Sequence, residues 1–241
     1  MIEAAAMPPR LRNGAESGSM AAALQMNERF THRDRVLIVV CCGIAALSLF
    51  IIFHWFSAAF PEASIDFRYT RASSLPLARG VLDAQHIDVR GLKHTAVFDG
   101  DEMARIFLER SLGLSQANRV MRNDVRIWWW RHRWFRPLQE EEYEVQVAPT
   151  GEIVAFADKI PEDRALPAVD PAVARKSAES FLTRAGVRLA DLQLVAQSER
   201  HLPRRVQRIF TWDSQSVHPA GAPYRFEVHV DGDRVSSYSQ R

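Results

Sequence analysis

The sequence predicts an α+β protein: one N-terminal transmembrane helix, followed by two copies of a helix packed on an antiparallel sheet. Three observations carry that expectation. The run from Val36 to Phe53 contains no charged residue. Beyond it the chain repeats its apolar spacing at an interval of one hundred residues, and each copy closes on a β-hairpin.

The apolar run, extended by Trp55 and Phe56, reads as a membrane span, because a helix needs about twenty mainly apolar residues to cross the hydrocarbon layer. Arg29, Arg33 and Arg35 precede it, with Arg10 and Arg12 further back, whereas Glu62 and Asp66 come first on its far side. Retention of Lys and Arg on the cytoplasmic side places the N-terminus inside and the main domain outside, in a single-pass protein. His54, Trp55 and Phe56 suit an interfacial anchor. A cleaved signal peptide is the competing reading, since Ser57, Ala58 and Ala59 are small enough for a peptidase site, although a signal core has only about 7–15 apolar residues.

Residues 1–34 read as a disordered cytoplasmic tail, 35–56 as the transmembrane helix and 57–72 as a juxtamembrane connector. About 180 residues remain beyond the span, enough for one sizeable domain or two small ones. A formal net charge of +2 for 241 residues gives no argument for nucleic acid. Both cysteines, Cys41 and Cys42, lie within the span, so the exported part depends on neither a disulfide nor a thiolate metal site.

The duplication is the most informative feature of the exported part. Ala78, Val81 and Leu82 precede Ile87, Val89 and Leu92; at the same spacing Ala178, Phe181 and Leu182 precede Val187, Leu189 and Leu192. The first three of each set share one helical face, and the next three alternate as an incoming strand does. Ser74 or Leu75 before Pro76 marks the first helix start, Asp170 before Pro171 the second, and Gly186 the second helix's stop.

Each copy then gives a further strand, at about Ile127 to Phe135 and about Val206 to Trp212, before its hairpin. The hairpins are Tyr143–Val147 with Ile153–Phe156 around Pro149-Thr150-Gly151, and Phe226–Val230 with Arg234–Tyr238 around Asp231-Gly232. The first unit therefore covers 73–160 and the second 170–241, with a proline-containing linker over 161–169. The first unit carries an inserted helix over 101–112, capped by Asp99 or Asp101 and expected to bury Met103, Ile106 and Phe107.

A helix followed by an antiparallel meander that closes on a Gly-containing turn resembles the PepSY-like modules of bacterial envelope proteins. Phe107-Leu108-Glu109-Arg110-Ser111-Leu112-Gly113-Leu114, Arg133-Trp134-Phe135-Arg136-Pro137, Pro149-Thr150-Gly151, Pro161-Glu162 and Phe210-Thr211-Trp212 look like the extracytoplasmic region preceding the membrane core of CPBP-type intramembrane proteases, relatives of the CAAX-processing proteases. The resemblance spans most of 67–241 and the anchor before it. It implies two PepSY-like repeats serving a membrane metalloprotease. Such proteases carry a Glu-Glu-x-x-x-Arg motif and later histidines on several membrane helices, which would hold a metal and activate water. Glu140-Glu141-Glu142 has no arginine at that spacing and is not intramembrane, and there is one span. The family's chemistry is therefore not expected of this chain, and no catalytic residue is assigned.

No other site is apparent. His86, His94, His132, His201, His218 and His229 lack the pairing of a metal centre. No nucleophile elbow, P-loop or dinucleotide fingerprint occurs, so neither cofactor nor metal is expected. Asp99, Asp101 and Glu102 read as helix-start carboxylates. The stretch from Trp128 to Arg136 is the exception, with four tryptophans and three arginines in nine residues. On a strand, Trp128, Trp130, His132 and Trp134 face one way, as core. Trp129, Arg131, Arg133 and Phe135 face the other, as a solvated face or a contact for a partner or the nearby lipid.

The functional expectation is a non-catalytic extracytoplasmic module that senses, restrains or presents a protein or peptide partner to a membrane protease, encoded in the same polypeptide or another. The alternative is an independent anchored envelope scaffold. Apolar spans beyond Arg241 in the native product would favour the first; a stop there, without an associated protease, would favour the second.

Overall fold

The computed structural model describes residues 31–241; the expected cytoplasmic tail lies almost entirely outside them. The chain divides into two compact units at Phe53. Helix α1, His32–Ala59, passes through that boundary. Its segment His32–Phe56 has a mean hydropathy of 3.1 in its most apolar window, long and apolar enough to cross a membrane. Every side chain from His32 to Phe56 is exposed.

The second unit begins with a short 3-10 turn at Pro61–Ser64 and helix α2, Arg71–Ala84. Strand β1, Lys93–Gly100, leads into helices α3, Glu102–Leu112, and α4, Leu114–Asn123. Strands β2, Trp128–Phe135, β3, Glu142–Val147, and β4, Ile153–Lys159, complete the first half. Helix α5, Pro171–Arg184, and strands β5, Leu192–Leu202, β6, Arg205–Ser214, β7, Arg225–Asp231, and β8, Arg234–Gln240, make the second. The strands form one antiparallel sheet in the order β1-β2-β3-β4-β8-β7-β6-β5.

Two four-stranded meanders are thus joined through their last strands. Ala155 lies opposite Ser239, Phe156 opposite Tyr238 and Ala157 opposite Ser237. Helix α2 packs over β1, β2 and β3, and α5 over β6, β7 and β8, all on one face. The register explains the core: His132, Val145, Phe156, Tyr238, Val228 and Phe210 follow one another across six strands, and all are buried. Phe181 of α5 lies over the junction, its ring 5.5 Å from Phe156 and 5.3 Å from Tyr238. The opposite face carries partly exposed polar residues such as Gln146, Ser237, His229 and Thr211, the alternation of a sheet covered on one side.

The turn glycines answer to the segments that cross them. Gly151 has φ +106, and a Cβ there would meet the Tyr69 ring at 2.6 Å; Gly232 has φ +60, and a Cβ would lie 2.6 Å from Leu166 Cβ. In each half the chain entering the helix passes over that half's own hairpin turn, and only glycine leaves room.

Several expectations change. Ile87, Val89 and Leu92, like Val187 and Leu189, do not form strands; Leu189 opens a 3-10 turn, Leu189–Asp191, the others lie in irregular segments before β1 and β5, and all pack against the core edge. Alternating apolar residues serve such a segment as well as a strand, so periodicity could not separate the two. Helix α2 starts earlier than expected, with Thr70 and Ser73 forming a reciprocal capping box, and Pro76 lies inside it. Asp170 caps α5 as expected, accepting from Ala172 N at 2.8 Å. Asp101 caps α3, but that helix buries Leu108 while Met103 and Phe107 are exposed. Its inward stripe is Ala104, Leu108 and Leu112, one residue round from the expected one, because it packs on α4, a helix the sequence did not announce.

Candidate functional site

Strand β2 organises the first half, and its two faces do different work. His132 and Trp134 are buried beneath α2. Trp128 and Trp130 lie on the same side but act as polar handles. The Trp128 indole donates to Ser64 Oγ at 2.9 Å, and that of Trp130 to the Tyr69 carbonyl at 2.9 Å. Arg68 N and Tyr69 N donate to the Pro149 carbonyl at 3.0 and 2.7 Å, Asn118 Nδ2 to the Phe60 carbonyl at 2.9 Å, and the Arg122 guanidinium to that of Ala63. Sequence marked 57–72 as a patternless connector; from Phe60 to Thr70 it is a strap bonded to β2, α4 and the first hairpin.

On the other face Trp129, Arg131, Arg133 and Phe135 share one side of β2, but their chemistry is largely engaged. Arg131 pairs with Asp99 across the β1–β2 ladder. Arg133 pairs with Glu142, donating from Nε at 2.6 Å, and lies 4.9 Å from the Phe135 ring. Lys159 also pairs with Glu142. Burial pushes the Glu142 carboxyl upward, and the bonds from Lys159 and Arg133 outweigh it, holding the group below its usual range. Trp129 is half-buried, and its indole nitrogen is enclosed without a hydrogen-bond partner. It lines a cleft of about 170 Å³ with Phe107, Leu108 and Pro223. The patch is therefore a charge-compensated ladder with an aromatic floor. Sequence placed its residues on one face and could not see Asp99, Glu142 and Lys159, which only the strand register brings alongside.

The structure also gathers residues that sequence left scattered. His132 Nε2 lies 2.9 Å from Ser74 Oγ, and His132 Nδ1 lies 3.1 Å from His94 Nε2, with the two imidazoles stacked at 5.3 Å. Burial, then His94 and Arg71, push His132 down to about 4. Burial, Arg79 and Arg71 lower His94 as well. Ser74 and His132 are fully buried and His94 is partly exposed, so this Ser-His-His chain is a polar network at the edge of the core. Its sequence signal was absent because the contact is diagonal across a register: His94 opposes Trp134, and His132 opposes Ala96. Among the described residues no group of three or more His, Cys, Asp or Glu gathers to hold a metal.

A second polar centre pins the linker between the halves. Arg205 Nε donates to Asp231 Oδ1 at 2.8 Å, both side chains almost fully buried, while its terminal nitrogens donate to the carbonyls of Ile160, Pro161, Glu162 and Arg164. Gln207 and Ser236 satisfy the other Asp231 oxygen. Between α2 and α5 runs a cleft of about 440 Å³, with Leu77, Val81, Ile153 and Phe181 in its wall and Arg184 and Glu152 among its polar groups. Two edges remain, β1 and β5, and β5 is exposed along most of its length. No family model, curated protein or solved structure matches this chain.

Proposed function

We propose that this protein is a single-span, membrane-anchored extracytoplasmic module, built of two PepSY-like repeats, that binds a protein or peptide partner and regulates or presents it to an intramembrane protease without catalysing a reaction itself. The observation that carries this reading is the fused eight-stranded sheet with one helix-covered face, one open face and two unpaired edges. An exposed edge offers unpaired backbone donors and acceptors to an extended segment, and alternate side chains supply selectivity. The β5 edge is long and open, and the β2 face presents Phe135 and the half-exposed arginine ladder. Ser74 with His132, and Arg205 with Asp231, are committed to one another in the interior, which fits a structural use of these polar groups. The apolar length of α1 supports anchoring, and the arginines before it an N-terminus on the cytoplasmic side.

The test is site-specific photocrosslinking in native membranes, with the reactive group at Val195 on the β5 edge and at Arg131 on the open face. A crosslinked intramembrane protease or its substrate is the expected product. Crosslinks confined to structural envelope components would replace this reading by the scaffold alternative; none at either position, with the chain correctly inserted, would remove the binding role.

A further inference from the structure

Most of the large exposed apolar side chains of the folded unit stand on neighbouring elements, since the strap and helix α3 both pack on α4. Five large ones are Phe60 and Phe67 of the strap, Val97 of β1, and Met103 and Phe107 of helix α3; Val97 shares the open face with Arg131, opposite the face on which Phe98 meets Phe67. The much longer stretch 108–241 adds only Leu138, Val173 and Val195, which stand on three separate elements. Single exposed hydrophobics are ordinary, whereas a gathered set marks a surface that something covers.

The strap follows α1 directly in the chain. Phe56 and Phe60 are 5.2 Å apart by ring centroid, Phe67 lies 5.2 Å from Phe98 with the rings tilted, and Phe98 lies 5.0 Å from Trp130. The bonds from Asn118, Arg122, Trp128 and Trp130 fix the strap against this end of the meander. Charge agrees: Arg110 at the end of α3 and Arg119 on α4 are exposed and form no ion pair among the described residues, and Arg122 is exposed beside them. Aromatic rings with guanidinium groups at the rim suit a headgroup layer, which accepts both.

We propose that the strap, the end of β1 and helix α3 form a lipid-docking surface that seats the first meander in the anionic headgroup layer of the membrane crossed by α1. This rests on the anchored reading above. Phe67 and Met103 enter the interfacial region, and Arg110 and Arg119 meet phosphate oxygens. The second half, held through the β4–β8 junction and the Arg205 clamp, stays in water with its β5 edge free.

The experiment uses the full chain with Cys41→Ser and Cys42→Ser, carrying one cysteine at a time at Val40, Phe67, Met103 or Val195. Each is labelled with an environment-sensitive fluorophore and reconstituted into phosphatidylcholine–phosphatidylglycerol vesicles, with or without shallow spin-labelled lipid. Probes at 67 and 103 are expected to shift to the blue and to be quenched several-fold more than the probe at 195. Equal quenching at 67, 103 and 195, with the probe at 40 bilayer-protected, overturns the docking surface and leaves the anchor standing. A probe at 40 that is freely exposed to water overturns the anchor and the docking surface together. Blue-shifted but unquenched probes at 67 and 103 overturn it in favour of a protein contact. Arg110→Glu with Arg119→Glu is expected to weaken the quenching in anionic vesicles and not in purely zwitterionic ones; an unchanged response there overturns the headgroup contact.

Discussion

Two buried titratable groups oppose one another. His132 protonates near 6.5 in the unfolded chain and only near 4 in the fold, so its contribution is fully present above pH 6.5 and is lost as pH falls toward 4, by about 3 kcal/mol. Asp158 runs the other way. Burial, only partly offset by Arg234, raises it to about 6; the fold keeps a proton that the unfolded chain releases near 3.8, so stability declines by about 3 kcal/mol as pH rises from about 4 to 6. The two slopes cancel between pH 4 and 6. Asp158→Asn is expected to expose the His132 limb, with urea midpoints falling on acidification, and His132→Gln to expose the reverse. Parallel pH profiles for both variants would exclude these groups as the cause. At Arg205 the expectation is larger: Arg205→Ala strands Asp231 in the core and releases four backbone carbonyls, those of Ile160, Pro161, Glu162 and Arg164, costing about 3–5 kcal/mol in denaturant unfolding.

Equivalent elements of the two halves carry different stop signals. Helix α5 is followed by Gly186 at φ +86, whereas α2 is followed at the corresponding position by His86 at φ +57. A left-handed backbone costs a side-chain-bearing residue about 1–2 kcal/mol, part of which glycine's greater freedom in the unfolded chain takes back. His86→Gly should therefore raise stability by up to about 1 kcal/mol, read as a higher thermal midpoint. The strap gives the opposite case. Trp128→Phe and Trp130→Phe remove one hydrogen bond each while keeping an aromatic ring, about 1 kcal/mol apiece. Amide exchange in 61–70 should rise well before exchange in β3 or β7 changes, and unchanged protection of the strap would show that these indoles do not hold it.

The β4–β8 junction and Phe181 decide how the folded unit behaves as a whole. The two meanders share one core, with Phe156, Tyr238 and Phe181 in mutual contact across their boundary. Residues 54–241 should accordingly unfold in one cooperative transition, with far-ultraviolet dichroism and tryptophan fluorescence coinciding. Phe181→Ala should lower stability by about 3–5 kcal/mol. Separate transitions, with the tryptophan-rich first half melting apart from the second, would show that the halves are independent and that the sheet is continuous only in its hydrogen bonds.

By itself the sequence determined the features that arise within a few residues of one another. The apolar length of α1, the Asp170–Pro171 helix start, the Gly186 stop, the two hairpins and the division of β2 into two faces all follow from local period and turn chemistry. It also showed the hundred-residue duplication, because equivalent cores repeat equivalent spacings. Tertiary structure alone decided what lies across a register: the histidine pair, the carboxylates that absorb the β2 arginines, the Arg205–Asp231 clamp, and the joining of the meanders through β4 and β8. The same holds for the strap, whose order comes from indoles sixty residues away, and for α3, whose buried stripe was set by α4. Each of these is a contact between residues distant in sequence, so its energy depends on which strands and helices come to lie side by side, and no local pattern encodes that choice.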